Sequence, residues 1–413
     1  MLLSMLSAIT YLDRVCISVA GPRMQEELKI SLQAWGWVVG VFAIAYGAFE
    51  IPSGSLGDRI GARRVLTRIV CWWSAFTCLT GMVSNYYSLL LTRFCFGMGE
   101  AGAYPTTATS ISRWFPRAER GGAFGIVWMA SQAGAALSPL LVVPIQMRYG
   151  WRASFFLFGM IGMAWCAVWY LWYRDNPGDK PAITRQELDE IGIAPMPHGD
   201  RQPWRALFRN GNLWAVMTLA LAYCYGMYFF ISWLPTYLAK GRGFRENELV
   251  LSTVPFVLGA LANGCGGFAS DLTVKRLGLK WGRRATGIAG LSAAAIFMLA
   301  AAFTPNNLLA LALLGLSYAG ITFQQPAVWA VCLDVGGRHA GTVSGSMNTA
   351  AQLGSFLLSI SFGYLATLSG GFNLPLIVVA SVLGLGAVLW LKIDPTRCIG
   401  PQRSDTARTA VRI

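Results

Sequence analysis

Long apolar runs alternate with short polar stretches along the whole chain of 413 residues. A helix needs roughly 20 consecutive apolar residues to cross a bilayer, and each run comes close to that length. The runs lie near 2–22, 35–57, 66–84, 87–111, 120–146, 151–173, 211–239, 248–270, 284–303, 306–333, 340–366 and 371–393. The pattern therefore predicts an all-α membrane protein with twelve transmembrane helices.

The polar stretch at 174–210 is the longest that separates two runs, and it leaves six runs on each side. We predict four parts, which are an N-terminal six-helix bundle at 1–173, a cytoplasmic linker at 174–210, a C-terminal six-helix bundle at 211–393 and a cytoplasmic tail at 394–413.

One short motif occurs at the same place in each half. The chain reads Gly-Ser-Leu-Gly-Asp58-Arg59-Ile-Gly-Ala-Arg63-Arg64 after the second run, and Asp271 followed by Gly-Arg283-Arg284 after the eighth. A helix end, an acid and an arginine pair thus recur about half a chain apart. This recurrence predicts two pseudo-symmetric bundles.

Composition excludes several classes of protein. Hydrophobic residues make up 55% of the chain, charged residues 13%, and the mean hydropathy is +0.49. A soluble domain has about a quarter of its residues charged, so a soluble enzyme or a disordered scaffold is excluded. The net charge of +14 invites a nucleic-acid partner, but most of the 33 lysines and arginines fall in loops on one side. By the positive-inside rule they mark the cytoplasmic face. We therefore expect no nucleic acid, a place in the cell's inner (cytoplasmic) membrane and both termini in the cytoplasm.

Cysteines and histidines give no sign of a metal or a cofactor. The nine cysteines are scattered without a CxxC pair, and there are two histidines. We interpret the cysteines as small buried apolar residues and expect neither a metal nor a cofactor.

The first run starts next to Met1 and is interrupted by Asp13 and Arg14. We expect a span here rather than a signal peptide, and we expect that a short N-terminal segment is missing.

Several motifs together resemble one transporter family. They are Tyr11-Leu-Asp13-Arg14 in the first run, Arg93-Phe-Cys-Phe-Gly-Met-Gly-Glu100 in the fourth, Ser112-Arg-Trp-Phe-Pro116 after it, Gly150-Trp-Arg152 before the sixth and Arg174-Asp-Asn-Pro177 after the sixth. With the loop at 54–64, they resemble the major facilitator superfamily over essentially the whole chain, and within it the organic anion:cation symporter family. The resemblance implies two bundles that rock around a central cavity. The motifs are specific to the family and not to one substrate.

Two positions depart from this family pattern. Phe96 stands where vesicular members carry a second acid after the arginine of the fourth helix, and Glu50 stands where many members have glutamine. An acid at the level of Phe96 is therefore not available for proton handling, and the role of Glu50 is open.

Ionisable residues within the runs are candidates for the site, because a charge at membrane depth costs about 2.5–3.5 kcal/mol on insertion scales. We predict that Arg14 binds the anionic group of the substrate, since a guanidinium donates two parallel hydrogen bonds to a carboxylate. The resemblance implies the same role. The alternative is a purely structural ion pair that holds helices together, formed by Asp13 with either Arg14 or Arg93.

A buried carboxylate that alternates between an apolar surrounding and an arginine can bind a proton in one state and release it in the other. We predict Asp13 and Glu100 as proton carriers, with Arg93 as their charge partner. Arg93 and Glu100 are two turns apart and share a helix face. A static packing role is the alternative for both acids.

Further residues are assigned to gates and to the cavity wall. The resemblance implies gating ion pairs at the cytoplasmic helix ends, formed by Asp58, Arg59, Arg63, Arg64, Asp271 and Arg283. Neutral polar or amphipathic side chains within runs could line a sugar-acid site, namely Tyr11, Tyr46, Gln132, Trp329 and Asn348. Interhelical hydrogen bonds or core packing are the alternative for these.

The sequence thus predicts a transporter, not an enzyme, in which a proton gradient drives import of an organic anion. A sugar acid (hexonate, hexuronate or hexarate) is the best class, and its partners are protons and the bilayer. We expect the protein to function as a monomer. The alternatives are a carrier of aromatic or dicarboxylic acids, an exchanger or efflux carrier, and, in a different class, a membrane-bound sensor or intramembrane enzyme.

Overall fold

The computed structural model describes residues 1–115, 120–180, 183–184, 186–187, 209–336 and 340–397, and the regular structure in these ranges is helical. The first half contains α1 (Leu2–Glu27), α2 (Leu32–Ile60), α3 (Ala62–Thr80), α4 in two segments (Tyr86–Glu100 and Ala103–Trp114), α5 (Arg120–Tyr149) and α6 (Trp151–Trp172). The second half contains α7 (Gly211–Gly241), α8 (253–277), α9 (279–303), α10 (Asn307–Gly336), α11 (Ala340–Ser369) and α12 (Asn373–Leu389). The predicted number of helices is confirmed.

Two local features differ from the prediction. The polar stretch 271–283 is helical rather than a loop, and the change from α8 to α9 takes place at Gly278, whose φ is 75°. The fourth apolar run contains a break, since Gly102 has a φ of 89° between the two segments of α4. Glycine adopts this left-handed conformation without the steric cost that a Cβ would add.

The molecular surface is suited to lipid. Within the described residues, nine helical stretches are long and apolar enough to cross a membrane, and one of them, Glu246–Phe303, includes both α8 and α9. Large apolar side chains such as Leu171, Leu261 and Phe268 are exposed. A soluble protein rarely exposes a wide apolar surface, so the acyl chains of a bilayer are the natural covering.

Equivalent helices pack in the same way in the two halves. In the first half α5 packs on α1, where Gly134 faces the backbone of Ala8, and in the second half α11 packs on α7, where Gly354 faces the backbone of Leu221. A Cβ on either glycine would overlap a carbonyl group of the facing helix. Small residues allow this close approach, and the matching pairs identify the two bundles as pseudo-symmetric.

The bundles meet along α2 and α11, α5 and α8, and α1 and α7. Gly40 on α2 faces Ser359 on α11, and a Cβ added to Gly40 would lie 3.3 Å from the Cβ of Ser359. Arg23 pairs with Glu246 at 2.9 Å across the bundles. These contacts lie towards the end of the molecule where α1 ends and α2 begins, which the sequence predicts to be the outer side. Most of the predicted linker and tail lies outside the described residues, so their limits remain predictions.

Candidate substrate site

Arg14 lies in the middle of α1 and is bonded to an acid of α4. Its Nε donates to Oε1 of Glu100 at 2.6 Å, and both side chains are buried. Glu100 is the last residue before the break in α4, and Gly97, one turn earlier, packs against the backbone of Phe42. The glycine lets α4 approach α2, so the Glu100 carboxylate reaches the centre of the first bundle.

Aromatic rings surround the Arg14 guanidinium. Its central carbon lies 4.7 Å from the ring centre of Tyr46, 5.1 Å from that of Phe42 and 5.4 Å from that of Tyr11. A guanidinium is attracted to the faces of such rings. Nη2 of Arg14 has no hydrogen-bond partner among the described residues. The arginine is thus held in place by Glu100 and the rings, while the donors of Nη2 stay unsatisfied within the described part of the chain.

Asp13 and Arg93 lie close to this pair but do not share its hydrogen bond. Neither carboxylate oxygen of Asp13 has a hydrogen-bond partner in the described part of the chain, although the residue is buried. Arg93 stacks on Phe42 at 5.0 Å and on Phe96 at 4.7 Å, and it interacts electrostatically with Asp13. The direct partner of Glu100 is therefore Arg14, not Arg93. The proton-carrying roles of these residues remain predictions.

The remaining predicted wall residues lie where the two bundles meet. Oη of Tyr318 on α10 donates to Oε1 of Gln132 on α5 at 3.4 Å, and Nδ2 of Asn348 on α11 donates to Oε1 of Glu50 on α2 at 2.6 Å. Trp329 on α10 packs against Trp128 on α5, with ring centres 6.1 Å apart. At these contacts the second bundle contributes neutral side chains, Tyr318, Asn348 and Trp329.

The predicted gating residues form contacts within their own bundles. Arg283 approaches Asp271 at 3.6 Å and Asp334 at 3.4 Å. Both Nε and Nη2 of Arg63 donate to the carbonyl oxygen of Tyr170 on α6. Arg64 is exposed, and the side chains of Asp58 and Arg59 lie outside the described residues. The gating role remains a prediction.

Sequence reasoning missed several residues of the site. Phe42 stacks on both Arg14 and Arg93. In the sequence, the feature that points to Phe42 is its position one turn before Tyr46. Tyr104 stacks on Trp128 with ring centres 4.8 Å apart, and its hydroxyl contacts Ser7 at 2.9 Å and Ser131 at 3.0 Å. Apolar and hydroxyl residues are frequent in every run of this chain, so composition could not distinguish these from the rest. Within the described ranges, no group of His, Cys, Asp or Glu is arranged to hold a metal ion.

Two pseudo-symmetric helical bundles, with a buried ion pair in the first and neutral partner side chains in the second, have the architecture of a multi-pass membrane transporter. The family model described as Major Facilitator Superfamily matches residues 3–359. This chain therefore belongs to the Major Facilitator Superfamily.

Relatives match over nearly the full length. A probable sulfoacetate transporter, SauU, of Cupriavidus necator is 35% identical over 396 residues, which cover 94% of this chain and 91% of the relative. A probable L-galactonate transporter of Escherichia coli is 30% identical, covering 95% and 87%. A hexuronate transporter of Bacillus subtilis is also 30% identical, covering 89% and 88%.

A solved structure has the same fold. It is a bacterial homologue of the human lysosomal transporter Spinster in an inward-facing, unoccupied conformation. It has a TM-score of 0.79, is 19% identical and covers 96% of each chain.

Proposed function

We propose that this protein is a proton-coupled transporter of the cytoplasmic membrane that imports an organic anion, with a sugar acid (hexonate, hexuronate or hexarate) as the best class. The observation that carries the proposal is Arg14, a buried arginine with free donors placed between aromatic rings at the centre of the molecule. The relatives named as L-galactonate and hexuronate transporters support a sugar acid. Both termini would face the cytoplasm, and the unit of transport would be the monomer.

The neutral residues around Arg14 fit a polyhydroxylated anion. Tyr11, Tyr46, Gln132 and Asn348 offer hydroxyl and amide groups, and such groups bind hydroxyls without adding charge. Aromatic faces such as those of Tyr46 and Trp329 pack against the apolar face of a sugar chain. The carboxylate of the substrate would accept hydrogen bonds from the Arg14 guanidinium.

The Arg14–Glu100 pair supplies a means of coupling. In the structure Glu100 occupies one donor of Arg14 at 2.6 Å. Protonation of Glu100 would cancel the charge that competes for the guanidinium, which would then bind the substrate carboxylate more strongly. Release of the proton would restore the internal pair and expel the anion. Proton and anion would therefore bind together and leave together, and Asp13, which has no hydrogen-bond partner among the described residues, is the second proton carrier.

Uptake into proteoliposomes tests this proposal. The panel contains hexonates, hexuronates and hexarates, each with and without an imposed inward proton gradient. We expect gradient-dependent accumulation of at least one sugar acid. Glu100→Gln should abolish the gradient dependence while exchange of labelled substrate continues, because a glutamine cannot carry the proton.

A matched control is Glu26→Gln, which makes the same change at an exposed position near the end of α1 and should accumulate substrate like the wild type. Normal gradient-driven accumulation by Glu100→Gln would rule out the coupling role. A folded wild-type protein that accumulates none of the sugar acids would contradict the substrate class.

A second candidate substrate is a small sulfonated carboxylate. It is favoured by the 35% identity to the relative named as a probable sulfoacetate transporter. Sulfoacetate therefore belongs in the same panel, together with an aromatic acid and a C4 dicarboxylate. Accumulation of one of these without any sugar acid would select that class instead.

A further inference from the structure

Glu50 is a buried acid of α2 that has no role in the proposed coupling of proton and anion. Its exposed fraction is 8%. It lies one turn after Tyr46, so both side chains are on the same face of α2. Tyr46 stacks on the Arg14 guanidinium at 4.7 Å, and Glu50 itself interacts electrostatically with Arg14. Glu50 therefore belongs to the wall of the substrate site.

The partner of Glu50 belongs to the opposite bundle. Nδ2 of Asn348 donates to Oε1 of Glu50 at 2.6 Å. A carboxylate accepts hydrogen bonds and an amide can donate them only through its nitrogen, so the carboxylate fixes the orientation of the amide. The amide oxygen of Asn348 is then directed away from Glu50. In that position the oxygen can accept a hydrogen bond from a substrate hydroxyl.

Charge is distributed unevenly along this site. Arg14 offers a cation, although Glu100 already shares its charge at 2.6 Å. One helical turn beyond Tyr46, the carboxylate of Glu50 is bonded to the neutral amide of Asn348. A substrate whose carboxylate binds Arg14 would extend its far end towards this second acid. A hydroxyl there can bind Asn348, whereas a second anionic group would meet a like charge in a region of low dielectric.

We propose that Glu50 is a specificity-determining residue that restricts the site to organic monoanions with a neutral, hydroxylated far end. This inference rests on the proposed function and narrows it. Hexonates and hexuronates, which carry one negative charge, are the substrates, and hexarates and sulfoacetate, which carry two, are rejected.

Binding measured with matched pairs of ligands tests this inference. Gluconate is compared with glucarate, and galacturonate with galactarate, by the shift in thermal unfolding of the purified protein at pH 7.5. The wild type should bind each monoanion at least roughly tenfold more tightly than its dianionic counterpart, a difference of ~1.4 kcal/mol. Glu50→Gln keeps an acceptor for Asn348 and removes the charge, so it should reduce that ratio by about tenfold.

Two controls separate charge from other effects. Glu26→Gln removes an exposed acid outside the site and should retain the wild-type ratio. Asn348→Ala should weaken the binding of both ligands of each pair, because it removes the acceptor for the hydroxylated end of the ligand.

The inference is overturned by equal binding of both members in the wild type, by a ratio that Glu50→Gln leaves unchanged, or by a Glu50→Gln protein that loses dianions. The last result would make Glu50 a proton carrier for dianions instead. If no sugar acid of either charge binds, the inference and the sugar-acid class both fail. Failure of the proton coupling alone is distinct, because charge discrimination in binding would persist while gradient-driven uptake is absent.

Discussion

Arg14 and Glu100 depend on each other for their place in the membrane interior. Each is buried, and their 2.6 Å contact is the one that compensates the charge of Glu100 directly. Removal of one partner from a buried pair leaves an uncompensated charge, which typically costs 3–5 kcal/mol. Under the proposed function the pair serves both stability and binding, and substitutions can separate the two effects.

Arg14→Ala should lose anion binding and lower the free energy of unfolding by about 3–5 kcal/mol. The double variant Arg14→Ala/Glu100→Gln should recover most of the stability, since the orphaned charge is gone, but not the binding. Thermal unfolding with and without substrate measures both effects. Arg148→Ala, at an exposed arginine near the end of α5 that has no assigned role, is the control. Retained affinity in Arg14→Ala would refute the assignment of Arg14.

The sequence identified both members of this pair but not their contact. Ionisable residues stand out in apolar runs, which made Arg14, Arg93 and Glu100 visible without a structure. The contact joins positions 86 residues apart in the chain. It depends on how closely α4 approaches α2 at Gly97 and on the break that follows Glu100. No local pattern encodes that approach, so Arg93, on the same helix face as Glu100, was the nearer partner in sequence.

At the scale of helices, the break in α4 sets the height of Glu100. Gly102 has a φ of 89° and is buried, and the second segment of α4 begins at the next residue. Hydropathy counts apolar residues and does not register backbone conformation, so a single continuous span was predicted here. The same reason applies to the stretch 271–283, where the polar residues continue α8 and α9 on either side of Gly278.

Gly102→Ala should lower stability by about 1–2 kcal/mol, the cost of a left-handed conformation for a residue with a Cβ. It should also weaken anion binding, since Glu100 and its partner Arg14 would move with the strained turn. Gly125→Ala is the matched control, because a Cβ at this exposed position of α5 meets open space. Thermal unfolding and ligand titration of both variants provide the measurement. Equal behaviour of the two variants would show that the break does not depend on glycine.

For the whole molecule, the seam between α2 and α11 is the place where rocking of the bundles can be tested. Gly40 and Ser359 face each other across it, with 3.3 Å between their Cβ positions. This separation is close to the 3.5–4.5 Å found between the Cβ atoms of a disulfide. The pair Gly40→Cys/Ser359→Cys should therefore crosslink the two bundles with little displacement of the backbone.

The oxidised double variant should lose uptake, because the seam can no longer open, and a reducing agent should restore it. Each single variant, treated with the same oxidant, should transport as before. This control shows that oxidation of the native cysteines is not the cause of the lost uptake. Uptake is measured in proteoliposomes together with the extent of crosslinking. Full crosslinking with undiminished uptake would show that transport does not require this seam to separate.

The twelve helices and the two bundles could be predicted from the sequence because hydropathy and an internal repeat report directly on spans. The hydrogen-bond partners of Gln132 and Asn348 could not be predicted from the sequence, because each partner belongs to the opposite bundle. A contact between helices of different bundles depends on the conformation of the whole molecule.

The ion pair of Arg14 and Glu100 also has a consequence for the membrane potential. An elementary charge that crosses the full field gains or loses about 2.3 kcal/mol per 100 mV. The pair joins one positive and one negative side chain within a single bundle, so it moves as an electrically neutral unit when that bundle tilts. A voltage across the membrane therefore does no net work on the pair itself. It acts on the ions that the site takes up and gives back, and the electrical cost of each cycle is set by its cargo.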